Sequence, residues 1–248
     1  MPDAVCVLTS GGLDSAVLVA TLARGRRVHP LYVRSGLAWE RAERRLLARF
    51  LAVLRRRGAR IAPLAEASVP VAALYGRRHW SISGRGVPGA RAALSSNYLP
   101  GRNLLLISVA AVYCERAGVG RIALALLRGN PYPDATPRFL RDVGRVASQA
   151  LARRLVVQAP FRTLSKAEVV RRGRSLPLEL TLSCARPLHE VRGAARGILA
   201  GGRLRSDRLR QKGRATGASG VRHGGPSAWY QRARPAAGRT MIVDERVP

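Results

Sequence analysis

The sequence predicts a doubly wound α/β domain built on a parallel sheet and followed by a mostly disordered C-terminal tail. Three observations carry this. Short apolar, β-branched runs alternate with helical patterns in the order strand, helix, strand, helix, strand, the signature of a parallel sheet with right-handed crossovers. A glycine-rich turn, Ser10-Gly11-Gly12, lies directly between the first such run and the first helix. After about Leu188 the periodicity fades, dividing the chain into a domain over 1–188 and a tail over 189–248.

Residues 4–9, Ala-Val-Cys-Val-Leu-Thr, form a buried first strand. Asp14 to about Ala23 reads as a helix apolar enough to lie on a sheet, and Val28 to Val33 as a second strand. Glu40 to Arg57 places Leu46, Leu47, Phe50, Leu51 and Leu54 at helical spacing, a surface helix with one buried face. A third strand is expected near Arg60 to Leu64. Gly76 to Asn97 breaks the rhythm and reads as a long loop. There follow a helix from Asn103 to Ala117, a strand from Arg121 to Leu127, a Pro-rich turn from Gly129 to Pro137, a helix from Phe139 to Leu151, a strand from Arg154 to Gln158 and a helix opening at Ser165. Ser165-Lys-Ala-Glu168 is a capping box, in which the Ser hydroxyl and the Glu carboxylate satisfy two orphan N–H groups reciprocally. The tail holds 13 basic residues, 10 glycines and no Phe in its 60 positions, too little apolar surface to offset its ordering entropy.

The 248 residues carry 44 Lys+Arg against 14 Asp+Glu, a formal charge of +30, and 47% hydrophobic residues, ample for a core. Only Lys166 and Lys212 are lysines. A field this positive attracts polyanions, but the aromatic content is 5% and no aromatic-basic interleaving of the kind that stacks bases is present. Nucleic-acid contact therefore stays open and non-specific. Apolar stretches such as residues 16–23 fall far short of the roughly 20 residues of a membrane helix, and no secretion signal is read. Three scattered cysteines (Cys6, Cys114, Cys184) exclude a disulfide scaffold and fit a reducing cytoplasm.

The chemistry concentrates in Thr9-Ser10-Gly11-Gly12-Leu13-Asp14-Ser15. Glycines allow a tight turn and close backbone approach. The helix that follows offers free N–H groups and the positive end of its dipole, together an anion site. No Gly-Lys-Ser/Thr is present, so this is not the lysine-bearing loop that works on a γ-phosphate. In an open α/β sheet the ligand is expected at the carboxyl ends of the strands.

A strand followed by Ser-Gly-Gly-x-Asp-Ser resembles the pyrophosphate (PP) loop of the ATP pyrophosphatases. Three further stretches occur in order: Tyr98-Leu-Pro-Gly-Arg-Asn103, Asn130-Pro-Tyr-Pro-Asp-Ala-Thr-Pro137 and Leu164-Ser-Lys-Ala-Glu-Val169. Together, from about residue 4 to Leu188, they resemble the 7-cyano-7-deazaguanine synthase family of that superfamily. The resemblance implies an adenine nucleotide alpha hydrolase-like fold and an ATP-dependent carbon–nitrogen ligase in the cytoplasm. Such enzymes convert 7-carboxy-7-deazaguanine and ammonia to the nitrile, releasing AMP and pyrophosphate. It also implies roles. Thr9 to Ser15 would cradle pyrophosphate, with Asp14 reaching Mg²⁺ through water. Lys166 would add a point charge to the phosphates, and Arg102 would grip phosphate or the substrate carboxylate. Asn103 would contact substrate or simply cap its helix, and Asp134 would bind the guanine-like edge. A homodimer stays open.

The sequence departs from the family in two places. Members carry a cysteine cluster that supplies four thiolates to a structural zinc; here Ser183-Cys184 is present and no cysteine follows it, so Cys184 is only a remnant of that site. The change of texture at Leu188 suggests a shifted reading frame over 189–248. The second departure is Arg138, where relatives commonly have Glu, a charge reversal beside the presumed base-binding turn. A tRNA-modifying enzyme of the same superfamily, or an ATP-binding protein impaired by loss of the zinc site, are the alternative readings.

Overall fold

A five-stranded, all-parallel sheet of order β3-β2-β1-β4-β5 organises the chain. The structure is a computed structural model and describes residues 3–88 and 94–182. The expectations for Cys184, the 189–248 tail and its reading frame lie outside those residues. The strands are β1 (Ala4–Leu8), β2 (Arg27–Arg34), β3 (Ala65–Ser68), β4 (Arg121–Ala123) and β5 (Val156–Gln158). The helices are α1 (Leu13–Leu22), α2 (Glu40–Arg56), α3 (Ala72–Tyr75), α4 (Trp80–Ser83), α5 (Arg102–Ala117), α6 (Pro137–Ala150) and α7 (Lys166–Arg172).

Burial on both faces explains why β1 reads as an unbroken apolar run. Its five residues are all buried, and the strand pleat sends them alternately to two cores. Val5 and Val7 join α1, α2, Phe161 and Val169 on one face, whereas Ala4, Cys6 and Leu8 join α5 and α6 on the other. The chain runs outward from β1 through β2 to β3, then returns to lay β4 against the opposite side of β1. The strand order reverses between β1 and β4, and this switch point opens a crevice at their carboxyl ends.

Two expectations are corrected. The third strand does not lie at 60–64: Ile61 makes only an isolated bridge to Val28, and the ladder is formed by Ala65–Ser68 against Leu31–Arg34. Register against β2 overrides β propensity on this half-exposed edge. Residues 76–97 are not simply a loop. They contain α4 and a 3₁₀ turn at Leu94–Asn97, and Trp80 stacks on Trp39 at 5.8 Å between ring centroids. Leu37, Val71 and Leu99 are buried in a small satellite core beneath this region. The strands β4 and β5 are shorter than their apolar runs.

No helix among the described residues is long and apolar enough to cross a membrane.

Candidate active site

A cleft of about 180 Å³ opens at the switch point, lined by the ends of β1 (Leu8 to Ser10), β2 (Tyr32, Val33) and β4 (Leu124), and by the first turns of α1, α2 and α5. It gathers Thr9, Ser10, Gly12, Asp14, Ser15, Arg102 and Asn103 from the residues expected to carry chemistry.

The glycine-rich turn is held from several sides. The Thr9 hydroxyl donates to the Leu31 carbonyl at 3.0 Å, fastening the end of β1 to β2. Ser15 Oγ donates to the Gly12 carbonyl at 2.9 Å and accepts from the Ser10 N–H at 3.3 Å, closing the loop on its own helix. Gly11 has φ +69°, and a Cβ built there would lie 2.7 Å from the Glu43 carbonyl oxygen. Glycine is thus required twice at this position, by conformation and by the backbone of α2. Gly12 instead has φ −75° and caps α1, leaving the first-turn N–H groups of Leu13, Asp14 and Ser15 without intrahelical acceptors. Leu13 itself turns into the core. From the other end of the described chain, the Leu182 N–H donates to the Gly11 carbonyl at 2.9 Å.

Lys166, at the start of α7, reaches this turn: Nζ donates to Asp14 Oδ1 at 2.7 Å. The Ser165–Glu168 capping box is formed as the sequence predicts and fixes the helix from which the lysine extends. Arg102 is the first residue of α5, a position where the helix dipole favours an anion over a cation. Its Nε is buried without a hydrogen-bond partner among the described residues. An unpartnered guanidinium N–H on a residue that lines the same cleft as the glycine-rich turn fits a carboxylate or phosphate ligand.

Asn103 and Asp134 are joined to each other. The Asn103 N–H donates to Asp134 Oδ2 at 2.9 Å, and its Nδ2 donates to Asp134 Oδ1 and to the Asp134 carbonyl. Asp134 is buried and does not line the cleft. The Pro-rich turn therefore caps α5 from outside, and Asn103, which lines the cleft, has its amide N–H groups committed to Asp134. Arg138 points away: its side chain is 88% exposed and lies 3.7 Å from Asp142, so the charge reversal falls on the outer surface of α6.

Two carboxylates absent from the sequence expectation also line the cleft. Glu40 accepts from Arg34 Nε and from the Ser35 and Gly36 N–H groups, which shapes the turn after β2. Glu43 accepts from the Tyr32 hydroxyl at 2.7 Å. Burial pushes the Glu43 carboxyl up to about 7, against the opposing pull of the Tyr32 hydrogen bond and the Arg102 charge. Burial, followed by the nearby Glu43 charge, pushes the Tyr32 phenol far above its ordinary value. The signal was present in the sequence: the stripe that buries Leu47, Phe50, Leu51 and Leu54 extends back through positions 43 and 40, where it holds acids.

The four-thiolate zinc site implied by the resemblance does not fit this chain. Cys6 on β1 and Cys114 on α5 are enclosed in the core. Their mutual hydrogen bond, followed by burial, raises the Cys6 thiol well above its ordinary value. With Cys184 they make only three cysteines, and no group of three or more metal-ligating side chains occurs among the described residues.

The model of the family described as queuosine biosynthesis protein QueC matches residues 3–197, a span that takes in every element of the cleft. The chain is 34% identical over 203 residues to a 7-cyano-7-deazaguanine synthase of Anaeromyxobacter sp. strain Fw109-5, covering 77% of this chain and 84% of that one. It is 32% identical over 219 residues to the protein of the same name from Anaeromyxobacter dehalogenans strain 2CP-C (84% and 89% covered). It is also 30% identical over 213 residues to that from Nitrosospira multiformis (80% and 87% covered).

Proposed function

Because the chain belongs to the queuosine biosynthesis protein QueC family, we propose that it acts as a 7-cyano-7-deazaguanine synthase, using ATP and ammonia to convert 7-carboxy-7-deazaguanine to the nitrile. AMP and pyrophosphate are the other products. The relatives that carry this name support the reading. The observation that carries it in the structure is the convergence on one cleft of the glycine-rich turn and the unpartnered Arg102 Nε.

The reaction asks for positioning and charge neutralisation rather than a side-chain nucleophile. A carboxylate is a poor acyl donor because oxide is a poor leaving group; transfer of AMP onto it supplies a good one. Ammonia then gives the amide, and a second activation of the amide oxygen allows loss of water to the nitrile. In this reading the N–H groups of Leu13, Asp14 and Ser15 hold the departing pyrophosphate, aided by the α1 dipole. Lys166 neutralises charge at the same turn and orients Asp14, whose other carboxylate oxygen would hold Mg²⁺ through water. Arg102 pairs with the substrate carboxylate until it is activated. The Asn103 carbonyl oxygen, aimed by Asp134, accepts from an N–H of the deazapurine.

The test is incubation of the full chain with ATP, Mg²⁺, ammonium and 7-carboxy-7-deazaguanine, with products read by mass spectrometry. AMP and the nitrile in step are expected. AMP formed only with another carboxylate refutes the substrate, and ATP binding without AMP refutes the activity.

A further inference from the structure

We propose that Glu43 is the base that takes a proton from the ammonia nitrogen as it attacks the activated carboxyl carbon. This rests on the function proposed above and names the residue that handles its proton. In the step, a C–N bond forms while one N–H proton passes to the Glu43 carboxylate. The bond from carbon to the AMP oxygen breaks, and AMP departs with the electron pair. The products are the amide, AMP and a protonated Glu43, which returns its proton to solvent.

Three carboxylates line the cleft: Asp14, Glu40 and Glu43. Asp14 is held by the Lys166 ammonium, and Glu40 receives a guanidinium and two backbone N–H groups. Both are therefore already engaged by a cationic side chain. Glu43 is 8% exposed, and the hydrogen bonds that reach it among the described residues come from neutral groups, the Tyr32 hydroxyl on Oε2 and the Trp39 side chain. The groups facing it are Tyr32 from β2, Trp39 just before α2, Glu40 from α2, and Arg102 from α5. Arg102 is the cation assigned to the substrate carboxylate, so the base and the electrophilic carbon are brought together by one side chain. The backbone of Glu43 also abuts Gly11, in the turn assigned to the leaving diphosphate. A carboxyl that titrates near 7 is half ionised at neutral pH, where general base catalysis is most effective.

The experiment separates activation from amination. Reversible carboxylate activation is followed by pyrophosphate exchange into ATP without ammonium, and amination by amide and nitrile formation across pH 5.5 to 9. In the unsubstituted protein, kcat/KM for ammonium should rise with pH through an inflection near 7. Glu43→Gln should lower amination by about 10²-fold or more and abolish that inflection, while exchange falls by less than about tenfold. Tyr32→Phe, which removes a donor that favours the ionised carboxylate, should move the inflection to higher pH; it serves equally if Glu43→Gln does not fold. Equal loss of exchange and amination, or an inflection unmoved in either variant, overturns the proposal. A raised KM for 7-carboxy-7-deazaguanine with an unchanged pH profile also overturns it, assigning Glu43 to ring recognition instead. Absence of exchange in the unsubstituted protein is a failure of the functional reading itself.

Discussion

Lys166 and Asp14, 152 positions apart, meet at 2.7 Å and tie α7 to the glycine-rich turn. The pair is partly exposed, 47% and 29% of the two side chains, so it contributes little to stability. Its significance is positional, because it fixes a cation beside N–H groups that already favour an anion.

Replacing Lys166 by Ala is therefore expected to lower AMP formation by about 10²-fold with a change in stability within about 1 kcal/mol. Lys166→Arg should recover part of the rate, since the charge returns with altered geometry. AMP release and thermal melting on the same preparations check both halves of the expectation.

Gly11→Ala brings two penalties, a left-handed φ and a collision with the Glu43 carbonyl. Gly36, with φ +74° and nothing within reach of a Cβ, supplies the control. Gly36→Ala should cost about 1 kcal/mol, whereas Gly11→Ala should cost at least twice that and abolish ATP binding. Urea denaturation and nucleotide titration distinguish them; equal effects would mean that the contact with α2 relaxes freely.

The raised Glu43 carboxyl has a consequence for stability that is separate from catalysis. The folded state holds this proton to about pH 7, whereas the unfolded chain releases it near 4.5. The native state binds more protons in that window, so the residue's contribution to stability falls as pH rises from 4.5 to 7, by up to about 3 kcal/mol. Glu43→Gln lacks this loss. Relative to the unsubstituted protein, the variant should therefore be more stable at pH 8 than at pH 5, measured as the difference between denaturation free energies.

Asp134→Ala removes a carboxylate that accepts two hydrogen bonds from Asn103 in the first turn of α5. A loss of about 2 to 4 kcal/mol is expected, with KM for 7-carboxy-7-deazaguanine raised because the Asn103 amide is free to rotate. Steady-state kinetics and melting curves test this; an unchanged KM would detach Asn103 from ring recognition.

Much of this fold is legible in the sequence because each signal is local. The unbroken apolar run of β1, the helical stripe of α2 and the Ser165–Glu168 box each specify their element without distant partners. The Ala-Glu-Ala-Ser strand β3 was hidden because its pairing is chosen by β2 rather than by its own side chains. The segment around α4 owes its order to Trp80 meeting Trp39, a contact invisible to local pattern. The candidate site divides in the same way. The glycine-rich turn could be read from its glycines, but the joining of Asn103 to Asp134 and of Lys166 to Asp14 is tertiary. Glu40 and Glu43 lay in plain view as acids on an apolar stripe, a pattern that signals a buried carboxylate.

In the proposed reaction the turn from Thr9 to Ser15 holds the diphosphate that leaves when ATP is cleaved. A crystal structure of the full chain with ATP tests this most directly. The β- and γ-phosphates are expected on the Leu13, Asp14 and Ser15 N–H groups with Lys166 beside them; a triphosphate bound elsewhere, with that turn empty, would overturn this role.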